Sequence, residues 1–289
     1  MPIDRTSRDY TSGVTSASKS LLLELMTMLR AYRESLVLVG GWVPYFLLEE
    51  HRRPGDYFDH VGSIDIDLAI DPEKIGEAQY ATIVELLREH GYESALDRLG
   101  KVIPNSFQRT IQSPTDNKPY AIRIDFLTHE GDSRPGKHRN LPVQDELLAR
   151  KTKGCEAALH HKTILKLSGV LPKGGEISVP IPMADVVGCL TMKGIVLGER
   201  YKEKDAYDIY AVVARYKGGP RDVAEALRPY LREPLVKDAV ASIHDAFATR
   251  KAHGPQWVAD FMQPASPAER ERLITDAFMT VRELSDLLK

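Results

Sequence analysis

Asp65 and Asp67 stand two positions apart in the run Ile64-Asp-Ile-Asp-Leu-Ala-Ile70. Strict alternation of polar and apolar residues predicts a strand. On it Asp65 and Asp67 share one face, and Ile64, Ile66, Leu68 and Ile70 share the other. The two carboxylates then start about 6.5–7 Å apart along the backbone. Hard oxygen donors at that spacing suit a pair of divalent cations about 4 Å apart. Such a pair serves phosphoryl transfer: one ion lowers the pKa of an attacking hydroxyl, and the other holds a triphosphate and its leaving oxygens. Asp125 lies in a second alternating run, Ala121-Ile-Arg-Ile-Asp-Phe-Leu127, and is a candidate third carboxylate. A solvated strand face produces the same alternation. Asp is nevertheless depleted in strands, and like charges this close repel unless a cation lies between them.

The residues before this pair add a phosphate-binding feature. Ser35-Leu-Val-Leu-Val39 reads as a buried strand that stops at Gly40-Gly41, and Trp42–Glu50 reads as the following helix. A Gly-Gly turn into a helix exposes backbone amides at a positive dipole end, which suits a triphosphate. Farther on, Lys193-Gly-Ile-Val-Leu-Gly-Glu-Arg200 precedes Lys204-Asp-Ala-Tyr-Asp208. Lys193 and Arg200 are two helical turns apart on one face, and Asp205 and Asp208 share another. The cations could neutralise phosphate charge; the aspartates could hold Lys193 or Arg200, or contact nucleotide. A solvated helix with internal ion pairs is the plainer reading of this run.

These residues must be placed by two kinds of structure. Met1–Ser16 is Ser/Thr-rich and expected to be loose, with a helix from Ser18 or Ser20 to about Arg33. Glu77–His90 is expected to be helical, Arg98–Arg109 to be strand plus turn, and His129–Leu141 to be a surface loop. Leu159–Val170 and Glu176–Pro182 are expected strands around Pro172-Lys-Gly-Gly175. Beyond Met183 the periodicity is helical, with helices expected at 184–199, 204–215, 221–231, 237–249, 256–263 and 267–288. The sequence therefore predicts an α+β fold: a mixed-sheet domain over 1–183 and a helical domain over 184–289.

The 289 residues carry a net charge of -2, so no global charge draws the chain to nucleic acid or an anionic membrane. The longest apolar runs fall far short of the about 20 residues of a membrane span, and no signal peptide is visible. Cys155 and Cys189 lack metal-ligand spacing and fit a reduced, cytoplasmic setting. His160-His161 is expected in a strand, where the rings would point to opposite faces. The basic group Arg134, Lys137, His138 and Arg139, extended by Arg150, Lys151 and Lys153, is a candidate guide for an RNA acceptor. The loop His51–Gly62 brings His51, Arg52, Arg53 and His60 as candidate acceptor contacts.

Strand, Gly40-Gly41-Trp42, Ser63-Ile-Asp-Ile-Asp67 and then Asp125 on a later strand resembles the DNA polymerase β-like nucleotidyltransferase superfamily. The Lys193–Asp208 run is similar to the abortive-infection AbiE-type toxin nucleotidyltransferases. The likeness covers roughly residues 36–215. It implies a nucleotidyltransferase core followed by helices. It implies Asp65, Asp67 and Asp125 as ligands of Mg2+ or Mn2+, with Lys193 a catalytic cation. Gly40, Gly41, Trp42, Ser63, Arg200, Lys204, Asp205 and Asp208 would bind nucleotide. The implied reaction moves a nucleoside monophosphate from an NTP to a hydroxyl of tRNA or protein and releases pyrophosphate. The chain would be the toxin of a toxin–antitoxin pair, with a cognate antitoxin as partner. Trp42 stands where many members have a serine, so Ser63 or backbone amides are expected to take that phosphate contact. Some antibiotic-modifying nucleotidyltransferases are similar in having Gly-Gly-Trp, which keeps a small-molecule acceptor open. A non-catalytic binding module on the same fold is the remaining alternative.

Overall fold

In a computed structural model, residues 5–52, 55, 58–75, 81–131, 139–199 and 202–289 are described. The fold is α+β, with a mixed sheet and a helical C-terminal region. The chain divides into two units, Thr11–Trp42 with Ser63–Ala184, and Met1–Tyr10 with Val43–Gly62 and Asp185–Lys289. The sequence predicts a single domain over 1–183; the structure groups 1–10 and 43–62 with the C-terminal helices instead.

The sheet unit is built on β1 (Leu36–Val39), β2 (Ile66–Ile70), β4 (Val102–Gln112) and β5 (Pro119–Thr128). With β3 (Glu93–Leu96), β8 (Lys162–Val170) and β9 (Glu176–Ala184), the order is β3-β4-β5-β2-β1-β9-β8. β2 runs antiparallel to β1 and parallel to β5. Leu38 pairs with Leu68, Leu68 with Phe126, and Ile66 with Ile124, so the apolar sides of three strands coincide. A hairpin of β6 (Asn140–Gln144) and β7 (Leu147–Lys151) joins β5 at Leu127 and Thr128.

α1 (Ser12–Met28) covers that apolar side with Leu21, Leu22 and Leu25, all fully buried. It begins earlier than its periodicity predicts. Thr11 caps it by accepting the Val14 N–H, and the Ser113 hydroxyl donates to the Gly13 carbonyl at 2.7 Å. Tertiary contact thus orders a Ser/Thr-rich segment whose composition predicts a loose chain. Arg109 of β4 fixes the helix by pairing with Glu24, whose carboxylate also accepts the Tyr92 hydroxyl at 3.2 Å. Residues on one strand alternate in direction, so Phe107, Arg109 and Ile111 face α1, and Ser106 and Gln108 face away from it.

The segment expected as strand plus turn over 98–109 is so: the turn closes around Asp97–Lys101 and leads into β4, making a hairpin with β3. Two more expectations are corrected. The helix expected over 77–90 is the shorter α3 (Ile83–Glu89), fixed by a Thr82–Glu85 capping box; 76–80 lie outside the described residues. Cys155–His160 is helical (α4), so β8 begins only at Lys162.

The helical unit holds α5 (Val186–Glu199), α6 (Glu203–Arg215), α7 (Pro220–Leu227), α8 (Pro234–Ala246), α9 (His253–Met262) and α10 (Pro267–Leu287), close to the expected spans. α5 packs on α6 and α8, and α6 on α9 and α10. A Cβ on Gly194 would lie 2.7 Å from the Ala239 carbonyl oxygen, so glycine sets the close approach of α5 to α8. Among the described residues no helix is long and apolar enough to cross a membrane.

Arg109→Ala strips the Glu24 carboxylate of its cation in a setting where both side chains are largely buried. The expected loss is about 2 kcal/mol of unfolding free energy, read from the midpoint and slope of urea denaturation.

Candidate functional site

The candidate residues gather in two places, one in each unit. In the sheet, Val39, Asp67, Asp125 and Ser106 form one row across β1, β2, β5 and β4. Directly paired residues point to the same side of a sheet. Asp67 and Asp125 are therefore neighbours on the face turned away from α1. Asp65 lies just before β2, and Ser63 donates its hydroxyl to the Asp65 carbonyl at 3.0 Å. That bond shapes the entry to β2 and commits the Ser63 proton to the backbone.

Gly40 follows Val39 and so sits beside Asp67. Its φ is +75°, and a Cβ there would lie 2.7 Å from the Asp67 Cγ. Both conformation and space demand glycine. Gly40 and Gly41 form a turn, and α2 (Trp42–Glu50) starts at the next residue. Trp42 is corrected in its role. Its indole is buried, and its N–H donates to Ser18 Oγ at 3.0 Å. The side chain therefore packs on α1, and any phosphate contact at this turn falls to backbone amides.

Asp125 has partners that its own strand only half reveals. Arg123 Nε donates to Asp125 Oδ1 at 3.0 Å, and Arg123 Nη2 donates to Ser106 Oγ at 2.9 Å. The Ser106 hydroxyl donates to the same Asp125 Oδ1. The face is thus less acidic than three aspartates suggest. Among the described residues, no three His, Cys, Asp or Glu side chains form a ready-made metal cluster. The donor set still suits a cation: Asp67 and Asp125 are hard oxygen donors paired in register on one face, and Arg123 is the positive charge a cation would have to replace at Asp125.

The second place is a buried ion cluster in the helical unit. Lys193 Nζ lies 2.7 Å from Asp205 Oδ1 and 2.6 Å from Asp208 Oδ2. Lys204 Nζ lies 2.8 and 3.1 Å from the two oxygens of Asp208. His60 Nε2 is 3.0 Å from Asp208 Oδ1. Asp208 therefore accepts four bonds, about the full capacity of a carboxylate. The plainer reading of a solvated helix is overturned, because Asp205 and Asp208 are essentially inaccessible and both lysines nearly so. Arg200 lies outside the described residues.

Burial opposes each charge here, and the opposite charges decide the outcome. Asp208 is held far below the carboxylate range because Lys193, Lys204 and His60 outweigh its burial. Lys193 is held above its usual value because Asp205 and Asp208 outweigh its burial. Lys204 is pushed down, mainly by burial. His60 falls to about 4, chiefly through burial, with Asp208 opposing and the two lysines assisting. Its Nδ1 accepts the Gly62 N–H at 3.1 Å, so the neutral ring carries its proton on Nε2 and donates to Asp208. The ring also stacks on Tyr207 at 5.1 Å, and Tyr207 Oη accepts the Val61 N–H. Two lysines, two aspartates and a neutral imidazole balance in charge.

Several sequence candidates fall elsewhere. His160 is exposed at the end of α4 and His161 follows as its cap, so the pair is not in a strand. Arg134, Lys137 and His138 lie outside the described residues, as does Arg53. The carbonyl of Arg139 accepts the Lys151 N–H, and Arg150 and Lys151 belong to β7. Burial pushes the thiols of Cys155 and Cys189 up to about 12, so neither is a ready thiolate. The sequence alone offers His60 only as an acceptor contact and gives no role to Ser106, Arg123 or Tyr207. Only the shared parity of Arg123 and Asp125 signals one of these. Comparison with protein-family models and with curated proteins finds no match.

Asp208→Ala leaves Lys193 with Asp205 and takes from the buried Lys204 the carboxylate it pairs with; a loss of about 3–5 kcal/mol is expected in denaturant unfolding. His60 should also shape the acid side of the stability curve. An unfolded histidine protonates near 6.5, and this one near 4, so the unfolded chain gains the extra proton between those values. The His60 contribution is complete above pH about 6.5 and is lost as pH falls toward 4. From pH 7 to about pH 5, wild type should therefore lose about 2 kcal/mol more than His60→Gln. Equal slopes in urea titrations across that range would reject the neutral buried imidazole.

Proposed function

We propose that this chain is a metal-dependent nucleotidyltransferase that moves a nucleoside monophosphate from an NTP to an acceptor hydroxyl and releases pyrophosphate. The observation carrying this reading is the adjacency of Asp67 and Asp125 in one row, with Gly40 held against Asp67 by space and by φ. A bare alternating strand needs neither the glycine nor the second aspartate in register. The order of these parts resembles the polymerase β-like superfamily, and the Lys193–Asp208 run resembles its AbiE-type toxin branch.

In this reading Asp65, Asp67 and Asp125 are the oxygen ligands of Mg2+ or Mn2+, which when bound supplies charge for the triphosphate and acidity for the acceptor hydroxyl. Backbone amides of the Gly40-Gly41 turn take phosphate oxygens. Among the described residues nothing donates to Asp125 Oδ2, which suits it to receive the acceptor proton. Lys193 is the catalytic cation that the resemblance implies; within the helical unit, Asp205 and Asp208 restrain its ammonium on two sides. Asp208 then acts by orienting lysines, its own oxygens being fully occupied. The acceptor is proposed to be tRNA or a protein hydroxyl, in a cytoplasmic toxin countered by an antitoxin. A small-molecule acceptor such as an antibiotic is the alternative that Gly40-Gly41-Trp42 keeps.

Incubation with Mg2+, each α-labelled NTP and total tRNA should transfer label, and Asp65→Ala/Asp67→Ala should reduce it to background. Label on RNA supports the tRNA acceptor; label on the protein supports self-modification. Absence of transfer to RNA, protein or a panel of aminoglycosides and lincosamides would reject the enzyme in favour of a binding module.

A further inference from the structure

The guanidinium of Arg123 is placed where a site for divalent cations would least be expected to hold one. It lies on the same strand face as Asp125, two residues before it, and grips Asp125 Oδ1 and Ser106 Oγ through two different nitrogens. Ser106 closes the ring by donating to the same Oδ1. The three groups differ in freedom to move. Ser106 is 1% exposed, whereas the Arg123 side chain is 38% exposed. Ser106 is fixed, and Arg123 has solvent to move into.

We propose that Arg123 is the resident counter-ion of Asp125, and that a divalent cation reaches Asp125 Oδ1 only by displacing it. The inference rests on the nucleotidyltransferase reading. Arginine stays charged at any working pH, so the competition cannot be relieved by deprotonation. Close carboxylates repel, and the guanidinium offsets part of that repulsion while no cation is bound. Its planar fork also suits phosphate, so an incoming triphosphate offers Arg123 another partner as it vacates Asp125. Metal loading and nucleotide binding would then favour each other through one side chain. Arg123 is a positioning residue here, because it acts by holding or releasing Asp125.

The test is Mn2+ binding to the full chain without nucleotide, followed by the electron paramagnetic resonance of unbound Mn2+. Wild type should bind weakly. Arg123→Gln should bind roughly tenfold more tightly, since a unit positive charge beside the ion is gone. Arg123→Lys, which keeps charge but not the fork, should fall between them. Asp65→Ala/Asp67→Ala should bind none at this site. A second measurement uses wild type alone. The Arg123 Nε–H resonance should be protected from solvent exchange without Mg2+ and should shift and lose protection as Mg2+ saturates. Equal or weaker Mn2+ binding in Arg123→Gln, or an Arg123 resonance indifferent to Mg2+, would overturn the proposal while leaving the metal site standing. Mn2+ binding that is absent from every variant, or that survives Asp65→Ala/Asp67→Ala, would overturn both.

Discussion

Register between β1, β2 and β5 is the constraint on which the rest of the sheet unit depends. Leu38, Leu68 and Phe126 align on one side, and Val39, Asp67 and Asp125 align on the other. Side chains alternate with period two, so a slip of one residue in β2 would turn Asp65 and Asp67 into the apolar core and expose Ile66 and Leu68. The burial of those apolar residues therefore fixes the carboxylates on the opposite face. Stability and candidate chemistry are two sides of the same register. α1 strengthens this choice by covering the apolar side, with Glu24 and Arg109 holding it in place.

The acidic face creates an electrostatic cost that the structure answers locally. Gly40 brings the backbone against Asp67, and Arg123 with Ser106 engages Asp125. The Arg123 guanidinium thereby offsets part of the charge on this face. Groups arranged for a ligand commonly repel one another before it arrives, so a local compensator is a physical requirement.

The helical unit solves a different problem of charge. Lys193, Lys204, Asp205 and Asp208 are almost fully removed from water, where an unpaired charge would be very costly. Charge balance and the saturated acceptors of Asp208 make the burial tolerable. Apolar residues of the same size would stabilise the helices as well or better. His60 must remain neutral for the balance to hold, and burial keeps it so.

The sequence by itself determined the elements whose signal is periodic. The alternation in 64–70 and 121–127, the Gly40-Gly41 stop, and the helices beyond Met183 stand in nearly their expected places, because short-range sterics and one-sided burial write themselves into consecutive residues. The spacing of Asp205 and Asp208 likewise anticipates their hold on Lys193. Tertiary structure alone decided what depends on distant partners. Ser106 reaches Asp125 from another strand, 19 positions away, and His60 reaches Asp208 across 148. Trp42 turns into the core because Ser18 is there to accept its N–H. The ordering of α1 from Ser12 comes from Ser113, and the helical turn at Cys155–His160 is too short to set a period. Local residues could thus mark Asp65, Asp67 and Asp125 as a candidate site. The pairing of Arg123 with Asp125 is local, two residues apart on β5 and marked by their shared parity; only long-range packing set Ser106 of β4 against both, since that energy lies between strands and leaves no pattern along either one.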